Sequence, residues 1–561
     1  MIADSVPATP RAGTRFARFL PSRQDYTGLG ASWRTDLLAG ITVGIVALPL
    51  ALAFGVSSGV GAEAGLITAI VAGLVAALTG GSSVQVSGPT GAMVVVLAPV
   101  VAVHGAGSVA LLSLMAGLLV CIMGFSGLGR AVAFIPWPVV EGFTLGIAAI
   151  IFLQQIPLAT GTSGVPGHNT VIAAAEAASA AQAPTVLLTM ALVVLVAVVM
   201  FLLQKPLRAV PASLVAVLLA TASAELLQLD VPRIGPLPHA LPAPALPTVD
   251  LASVGSLAMP AAAIAVLAAI ESLLSARVAA GMAGPDGRPT GPYSPDRELT
   301  GQGLASIAAG MFGGMPATGA IARTAVNVRS GARTRLAAAV HAVVLLGITY
   351  LASGMVSRIP LAALGGVLMV TAVRMVSRRT VAAILRSTRA DAAVFVLTAV
   401  ITVAFDLIVA IQIGLAAAAL FALRKFASLS GVQREPIPGP SAEGDEHIAV
   451  LRLDGAMFFG AAERILQEIS QVRDVQVAII RLSQLRMLDA TGAHALVEVI
   501  AALELRGITV LLKGVRPDHL ALVTNVGVIR SLRHHKHLFE QLPDAVEHAR
   551  SHVLRNAAAS A

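Results

Sequence analysis

The chain has 561 residues, 56% of them hydrophobic and 12% charged, with a formal net charge of +8. That balance excludes a soluble globular enzyme over most of the length and reads as an integral membrane protein. The basic residues sit between apolar runs, where they orient a membrane protein, and the few aromatic residues argue against a nucleic-acid surface.

In chain order, residues 1–33 set Arg11, Arg15, Arg18 and Arg23 around Phe16, Phe19 and Leu20. This is either a basic amphipathic lead-in on the cytoplasmic membrane face or a disordered tail. No cleavable signal peptide is expected, because the first apolar run is too long and too late. From 34 to 430 apolar spans follow near 36–54, 62–80, 89–103, 108–128, 132–153, 185–204, 209–228, 257–280, 297–313, 317–331, 334–354, 359–377, 391–407 and 410–429. A full crossing takes about 20 residues, so the third and tenth are too short to cross alone, as broken helices are. The expected count is seven plus seven.

With a cytoplasmic N-terminus, the inner connections hold Arg130, Lys205, Arg208, Arg277, Arg288, Arg297, Arg329, Arg333, Arg335, Arg374, Arg378, Arg379, Arg386, Arg389, Arg424 and Lys425. The outer ones hold Arg233 and Arg358. This asymmetry places both ends of the membrane region inside. Residues 155–184 and 229–256 read as passive outer connectors. Cys121, the one cysteine, lies in an apolar run and reads as a buried inert thiol.

Two interruptions stand out. In Gly313–Arg335, Pro316 suits the first turn of a helix. A helix starting there aims unpaired, partly positive N–H groups at an anion and puts Arg323 about two turns along. Ser87-Gly88-Pro89-Thr90-Gly91-Ala92 repeats the Pro, Thr-Gly-Ala core of Met315-Pro316-Ala317-Thr318-Gly319-Ala320. Paired interrupted segments in opposite halves point to a transporter site between inverted repeats. Thr90, Thr318 and the backbone around Gly88, Pro89, Gly91, Ala92, Ala317, Gly319 and Ala320 are its candidate donors. Gln85 either lines the pocket or satisfies backbone groups freed by the break. Arg323 is either a planar donor for an oxyanion or a structural partner of Glu271.

Charged groups inside spans are functional candidates, and Glu271 shares a helix face with Ser275. His104, Glu141, His341 and Asp406 read as structural, and Arg329, Arg333 and Arg335 as topological anchors. Arg533-His534-His535-Lys536-His537 reads as a solvated basic face rather than a metal site.

Composition shifts near Ser430. Residues 431–446 read as a linker, 447–545 as a small α/β domain and 546–561 as a tail. Strands are expected at 448–453, 475–483 and 508–515, with helices at 461–472, 490–506 and 517–528. The alternation implies a mostly parallel sheet.

The motifs Gln85-Val86-Ser87-Gly88-Pro89-Thr90 and Ile270-Glu271-Ser272-Leu273-Leu274-Ser275-Ala276, with the Gly313–Arg335 run, resemble the SulP family of anion permeases. Phe458-Phe459-Gly460-Ala461-Ala462-Glu463 and Leu488-Asp489-Ala490-Thr491-Gly492 resemble its C-terminal STAS domain. The likeness runs over about residues 30–545. It implies an α-helical membrane protein of fourteen spans, in two inverted seven-span repeats divided into core and gate domains, and usually a homodimer in the cell membrane. The implied function is secondary active transport of an inorganic oxyanion of the sulfate or bicarbonate type, bound between the half-helix ends.

In the resembling family the face carrying Glu271 and Ser275 looks across at those ends, so Glu271 would couple to H+ or Na+. Relatives that use Na+ often carry Asp and Thr there, and the longer Glu favours a proton. Leu50 stands after Pro49 where many relatives have glutamine, and Phe54 stands where they have tyrosine. A polar contact from this span is therefore lost. The Pro-Leu-Ala-Leu-Ala wording looks more like the bacterial branch that includes dicarboxylate carriers. C4-dicarboxylate transport and Na+-coupled bicarbonate transport stay open. Thr491 occupies the position phosphorylated in regulatory STAS proteins, against a plain N-cap role for Asp489. An enzyme is not expected, since no Walker, nucleophile-elbow, zinc or dinucleotide motif is present, and no cofactor is implied. A membrane-anchored STAS regulator is a further alternative, disfavoured because an anchor needs no anion site.

Overall fold

The computed structural model describes the chain apart from residues 1–18, 20, 22, 27, 131–135, 163–169, 204–210, 239, 248–250, 286, 406, 429–430, 459–464, 466, 470–473 and 561. Two compact units result, Met1–Leu415 and Ala416–Ala561.

The first unit is helical. In order come α1 (Leu29–Ser57), α2 (Ala62–Thr79), α3 (Gly91–His104), α4 (Ser108–Phe125), α5 (Trp137–Gln154), α6 (Ile156–Thr160), α7 (Thr170–Ser179), α8 (Ala183–Leu202) and α9 (Ala212–Leu226). There follow α10 (Leu251–Ala280), α11 (Pro295–Met311), α12 (Ile321–Arg329), α13 (Arg335–Val356), α14 (Leu361–Met375), α15 (Arg378–Leu385), α16 (Arg389–Ala404) and α17 (Leu407–Ser428), within which the boundary between the two units falls. Among the described residues, eight helical stretches are long and apolar enough to cross a membrane. Helix α3, with 14 residues, and α12, with 9, are short, as broken helices are.

Some stretches differ from the reading of the sequence. The expected outer connector 155–184 holds α6 and α7, and α15 fills the stretch between the twelfth and thirteenth expected spans. Arg335, expected as an anchor at the membrane face, is buried and donates through Nη1 to Ala77 O at 3.0 Å. His341 is fully buried, His104 is exposed, and Glu141 accepts from Trp137 Nε1 at 3.1 Å. Asp406 lies outside the described residues, as does most of the 1–33 lead-in.

Lipid gives apolar helices no reason to associate, so close backbone approach has to supply the contact energy. The first helix pair shows it. A Cβ on Gly65 of α2 would lie 2.1 Å from Ala51 O, and one on Gly55 of α1 would lie 2.3 Å from Gly61 O. Away from such contacts Leu187, Val194 and Leu202 of α8 are exposed, a surface that suits hydrocarbon.

Helix α11 is different. It was expected as an apolar span, yet Asp296, Arg297, Glu298, Thr300, Gln302 and Ser306 are all buried on it. Buried polar groups must be bonded, and three of these bond to the loops that enter the two interruptions. Glu298 Oε2 accepts from Gly81 N and Ser82 N at 2.8 and 2.9 Å. Gln302 Nε2 donates to Ser87 Oγ at 2.5 Å, and Ser306 Oγ accepts from Ala317 N at 3.2 Å. Residues 298, 302 and 306 are four apart, so one stripe of α11 holds both interruptions.

The second unit is an α/β domain. Its strands are β3 (Gly431–Glu435), β4 (Ile448–Met457), β5 (Val477–Arg481), β6 (Leu485–Leu488), β7 (Thr509–Lys513) and β8 (Leu538–Phe539); β1 (Ser87–Gly88) and β2 (Thr318–Gly319) belong to the first unit. The order is β3-β4-β5-β7-β8 with β6 beside β4, all parallel except β3 against β4. Its helices are α18 (Ala490–Leu505), α19 (Pro517–Val526) and α20 (Leu542–Ser560). Along β4, Ala449, Leu451 and Leu453 pack into one core, while Ile448 and Val450 pack into a second with Ala545, Val546, Ala549 and Val553 of α20. Both faces are covered, as a parallel sheet requires. Two expected boundaries move. The 431–446 segment, read as a linker, supplies edge strand β3, and 546–561, read as a tail, continues α20. The helix expected at 461–472 falls mostly outside the described residues, as do Phe459–Glu463.

Candidate functional site

The two interruptions meet. Ser87–Gly88 forms β1 and Thr318–Gly319 forms β2, paired antiparallel with Ser87 opposite Gly319 and Gly88 opposite Thr318. Ala320 N donates to Val86 O at 2.9 Å beside this pair. The pairing holds 318–319 extended, so the second helix starts at Ile321 and not near Pro316. Arg323 therefore lies in the first turn of α12 rather than two turns along.

Short polar residues of α12 lock the first interruption. Thr324 Oγ1 accepts from Val86 N at 3.0 Å, Asn327 Nδ2 donates to Val84 O at 2.8 Å, and Arg323 Nη2 donates to Pro89 O. Arg323 is 2% exposed, and its Nη1 is buried without a hydrogen-bond partner. Gly88 makes this possible: its φ is +153°, and a Cβ there would stand 2.7 Å from Nη1.

Helix α10 brings the carboxylate. Thr90 Oγ1 and Thr318 Oγ1 both donate to Glu271 Oε2, at 2.7 and 2.9 Å. Among the described residues no ion pair within 4.0 Å joins Glu271 to Arg323, although the two charges lie near enough to act on each other. Ser275, one turn on, instead donates to Thr324 Oγ1 at 3.2 Å. The shared helix face is real, but Glu271 faces the threonines while Ser275 braces α12.

The donors divide into used and unused. Ala317 N is bonded to Ser306 Oγ, Gly319 N to Ser272 Oγ at 3.0 Å, and Ala320 N to Val86 O, so these three amides are occupied. The first intrahelical bonds come from Val94 N to Thr90 O and from Thr324 N to Ala320 O. The N–H groups of Gly91, Ala92 and Met93, and of Ile321, Ala322 and Arg323, precede them and have no acceptor within their helices. Two partly positive helix ends thus lie next to one carboxylate and one buried guanidinium.

Gln85 is buried at 5% exposure with both carboxamide atoms unpartnered, so it does not satisfy the freed backbone. It lies hard against Gly319, where a Cβ would meet Nε2 at 1.7 Å. Phe54, which follows the buried Leu50 on α1, reaches Gly91, whose Cβ would stand 3.4 Å from its Cε1. Ser272, Ser306, Thr324 and Gln302 were missed from the sequence. The four-residue repeat Glu298, Gln302, Ser306 could have flagged two of them, while Ser272 and Thr324 have no polar residue four positions away.

In the second unit, Asp489 caps α18 by accepting from Gly492 N at 2.8 Å, and Thr491 is exposed in the first turn. The basic run 533–537 is not uniformly solvated, because His537 is 4% exposed.

Comparison with known proteins adds the following. A model described as sulfate permease family matches residues 33–398, and a STAS domain model matches 439–545. The YvdB protein of Bacillus subtilis (strain 168) is 32% identical over 514 residues, covering 89% of this chain and 95% of its own. The bicarbonate transporter BicA of Picosynechococcus sp. is 29% identical over 500 residues, covering 83% and 86%. Among solved structures, the murine Slc26a9 anion transporter in the inward-facing state aligns with TM-score 0.81 at 15% identity over 98% of this chain and 96% of its own, a likeness of fold. The transmembrane domain of a cyanobacterial BicA aligns with TM-score 0.59 at 28% identity, covering 71% and 99%.

Proposed function

The chain belongs to the sulfate permease family of anion transporters, with a STAS domain at its C-terminal end, and from that premise we propose that it carries an inorganic oxyanion of the sulfate or bicarbonate class together with a proton. The observation that supports this most is the shared oxygen of Glu271, to which one threonine from each interruption donates. While Glu271 is ionised, both hydroxyl protons are committed to it, and its charge repels an anion from the helix ends. A protonated Glu271 donates its own hydrogen to a threonine, which frees a hydroxyl proton for the substrate. Arg323 Nη1 and the first-turn amides of α3 and α12 then face the oxyanion. Proton and anion bind together because each removes the obstacle to the other.

In this reading the membrane region makes fourteen crossings as two inverted repeats, both termini are cytoplasmic, and the protein works as a homodimer in the cell membrane. Uptake into proteoliposomes tests it, with sulfate, bicarbonate and fumarate offered separately under imposed pH and Na+ gradients. Sulfate or bicarbonate entry accelerated by an inward proton gradient is expected. Entry of fumarate alone would replace the substrate, acceleration by Na+ alone would replace the coupling ion, and no uptake by correctly inserted protein would favour a regulator.

A further inference from the structure

Three histidines of the STAS unit converge at one end of its sheet. His548 and His552 stand one turn apart on α20, with their Nε2 atoms facing each other at 3.2 Å. His537, in the turn before β8, closes the group, its ring centroid 5.5 Å from that of His548 and 5.4 Å from that of His552. One ring nitrogen from each lies within 4.8 Å of the other two. His537 is buried and its Nδ1 has no hydrogen-bond partner, while His548 and His552 are half-buried and reachable from solvent.

Two neutral imidazoles at that distance can share one N–H···N bond, which leaves the buried Nδ1 of His537 without a partner. A tetrahedral ion with metal–nitrogen bonds of about 2.0–2.1 Å sets its ligand nitrogens about 3.3 Å apart, close to the separation already present between His548 and His552. The donor set excludes hard cations. Among the described residues no carboxylate takes part, and Arg533, Lys536 and Arg555 lie close enough to act on these rings. Calcium and magnesium need oxygen ligands and negative charge, whereas zinc-class ions bind imidazole well.

We propose that His537, His548 and His552 form a three-histidine site for a divalent transition ion of the zinc class, with the fourth position left to water. Such an ion would clip the turn before β8 to α20, the helix that covers one face of the sheet. It does not depend on the transport reading.

The test uses full-length protein in detergent, stripped with a chelator and titrated with ZnCl2 against a chromophoric competitor. One tight equivalent per chain is expected, and Co2+ in its place should give the visible bands of tetrahedral coordination. Replacing His537 confounds ligation with folding, so His548→Ala and His552→Ala carry the test. Each should weaken zinc by about 100-fold or more while leaving the melting of the metal-free protein unchanged. Zinc should raise the melting midpoint of the unaltered chain and not that of the double variant. Equal zinc affinity in the double variant, or no retained equivalent in the unaltered chain at micromolar free zinc, would overturn the proposal.

Discussion

Thr90 and Thr318, 228 positions apart in the chain, lie with their hydroxyl oxygens 3.5 Å from each other and donate to the same oxygen of Glu271. Each hydrogen bond to a charged group contributes about 1.5–3 kcal/mol, but two on one oxygen share their effect. Thr318→Val keeps the shape and removes one donor. Uptake at low substrate should fall by about 10-fold or more, with folded yield retained. Thr90→Val added to it should cost less than the product of the two single losses. Concentration-dependent uptake of the four proteins measures this, and full additivity would show that the hydroxyls act separately.

Glu271→Gln mimics the protonated carboxyl at nearly constant volume. Anion exchange should persist, and acceleration by an inward proton gradient should disappear. Because Glu271 makes no ion pair with Arg323, the substitution leaves the Arg323 bond to Pro89 intact, and expression should hold. Folded yield and pH-dependent uptake are read from one preparation. A well-folded Gln variant that keeps its full pH dependence removes Glu271 from the coupling.

The stripe on α11 predicts a loss of stability away from the substrate. Ser306→Ala leaves the buried Ala317 amide without its acceptor, at a cost of about 1–3 kcal/mol. Ser306→Thr restores a hydroxyl and should recover most of it. Melting midpoints in detergent check both, and an Ala variant as stable as the unaltered chain would mean that β2 is held by other contacts.

The helices and the paired interruptions were legible because apolar runs and a repeated Pro, Thr-Gly-Ala core are local signals. The start of α12 was not. Pro316 satisfies the rule for a first helical residue, but the pairing of Thr318 with Gly88, a contact across 230 positions, overrides it. The occupied amides of Ala317 and Gly319 were hidden for the same reason, since Ser306 and Ser272 look like incidental serines until the fold places them. In the C-terminal unit, β3 lacks apolar alternation because none of its five residues is fully buried, and it reads as a linker. Helix α20 carries Ala545, Val546, Ala549 and Val553 at helical spacing, a signal masked by its many charged residues.

The last prediction concerns the pH range over which that unit holds together. Asp445, just before β4, accepts from Arg550 of α20 through both oxygens at 2.8 Å and from Ala442 N at 2.9 Å. The Arg550 bonds first, then the amide, hold its carboxyl below the ordinary 3.8. A carboxylate whose folded value is depressed contributes stability that is fully present above the unfolded value and is lost as pH falls through the folded one. The Asp445 contribution should therefore be constant near neutrality and vanish below 3.8. His537 adds a separate loss between 6.5 and about 4, since its neutral form is favoured in the folded chain, and that loss is common to both proteins compared. Melting midpoints of metal-free full-length protein and of Asp445→Asn, followed from about pH 7 to pH 3, isolate the difference. The variant should melt lower at neutral pH, and the two curves should converge in acid. A constant offset down to pH 3 would mean that Asp445 acts through packing, not through its charge on Arg550.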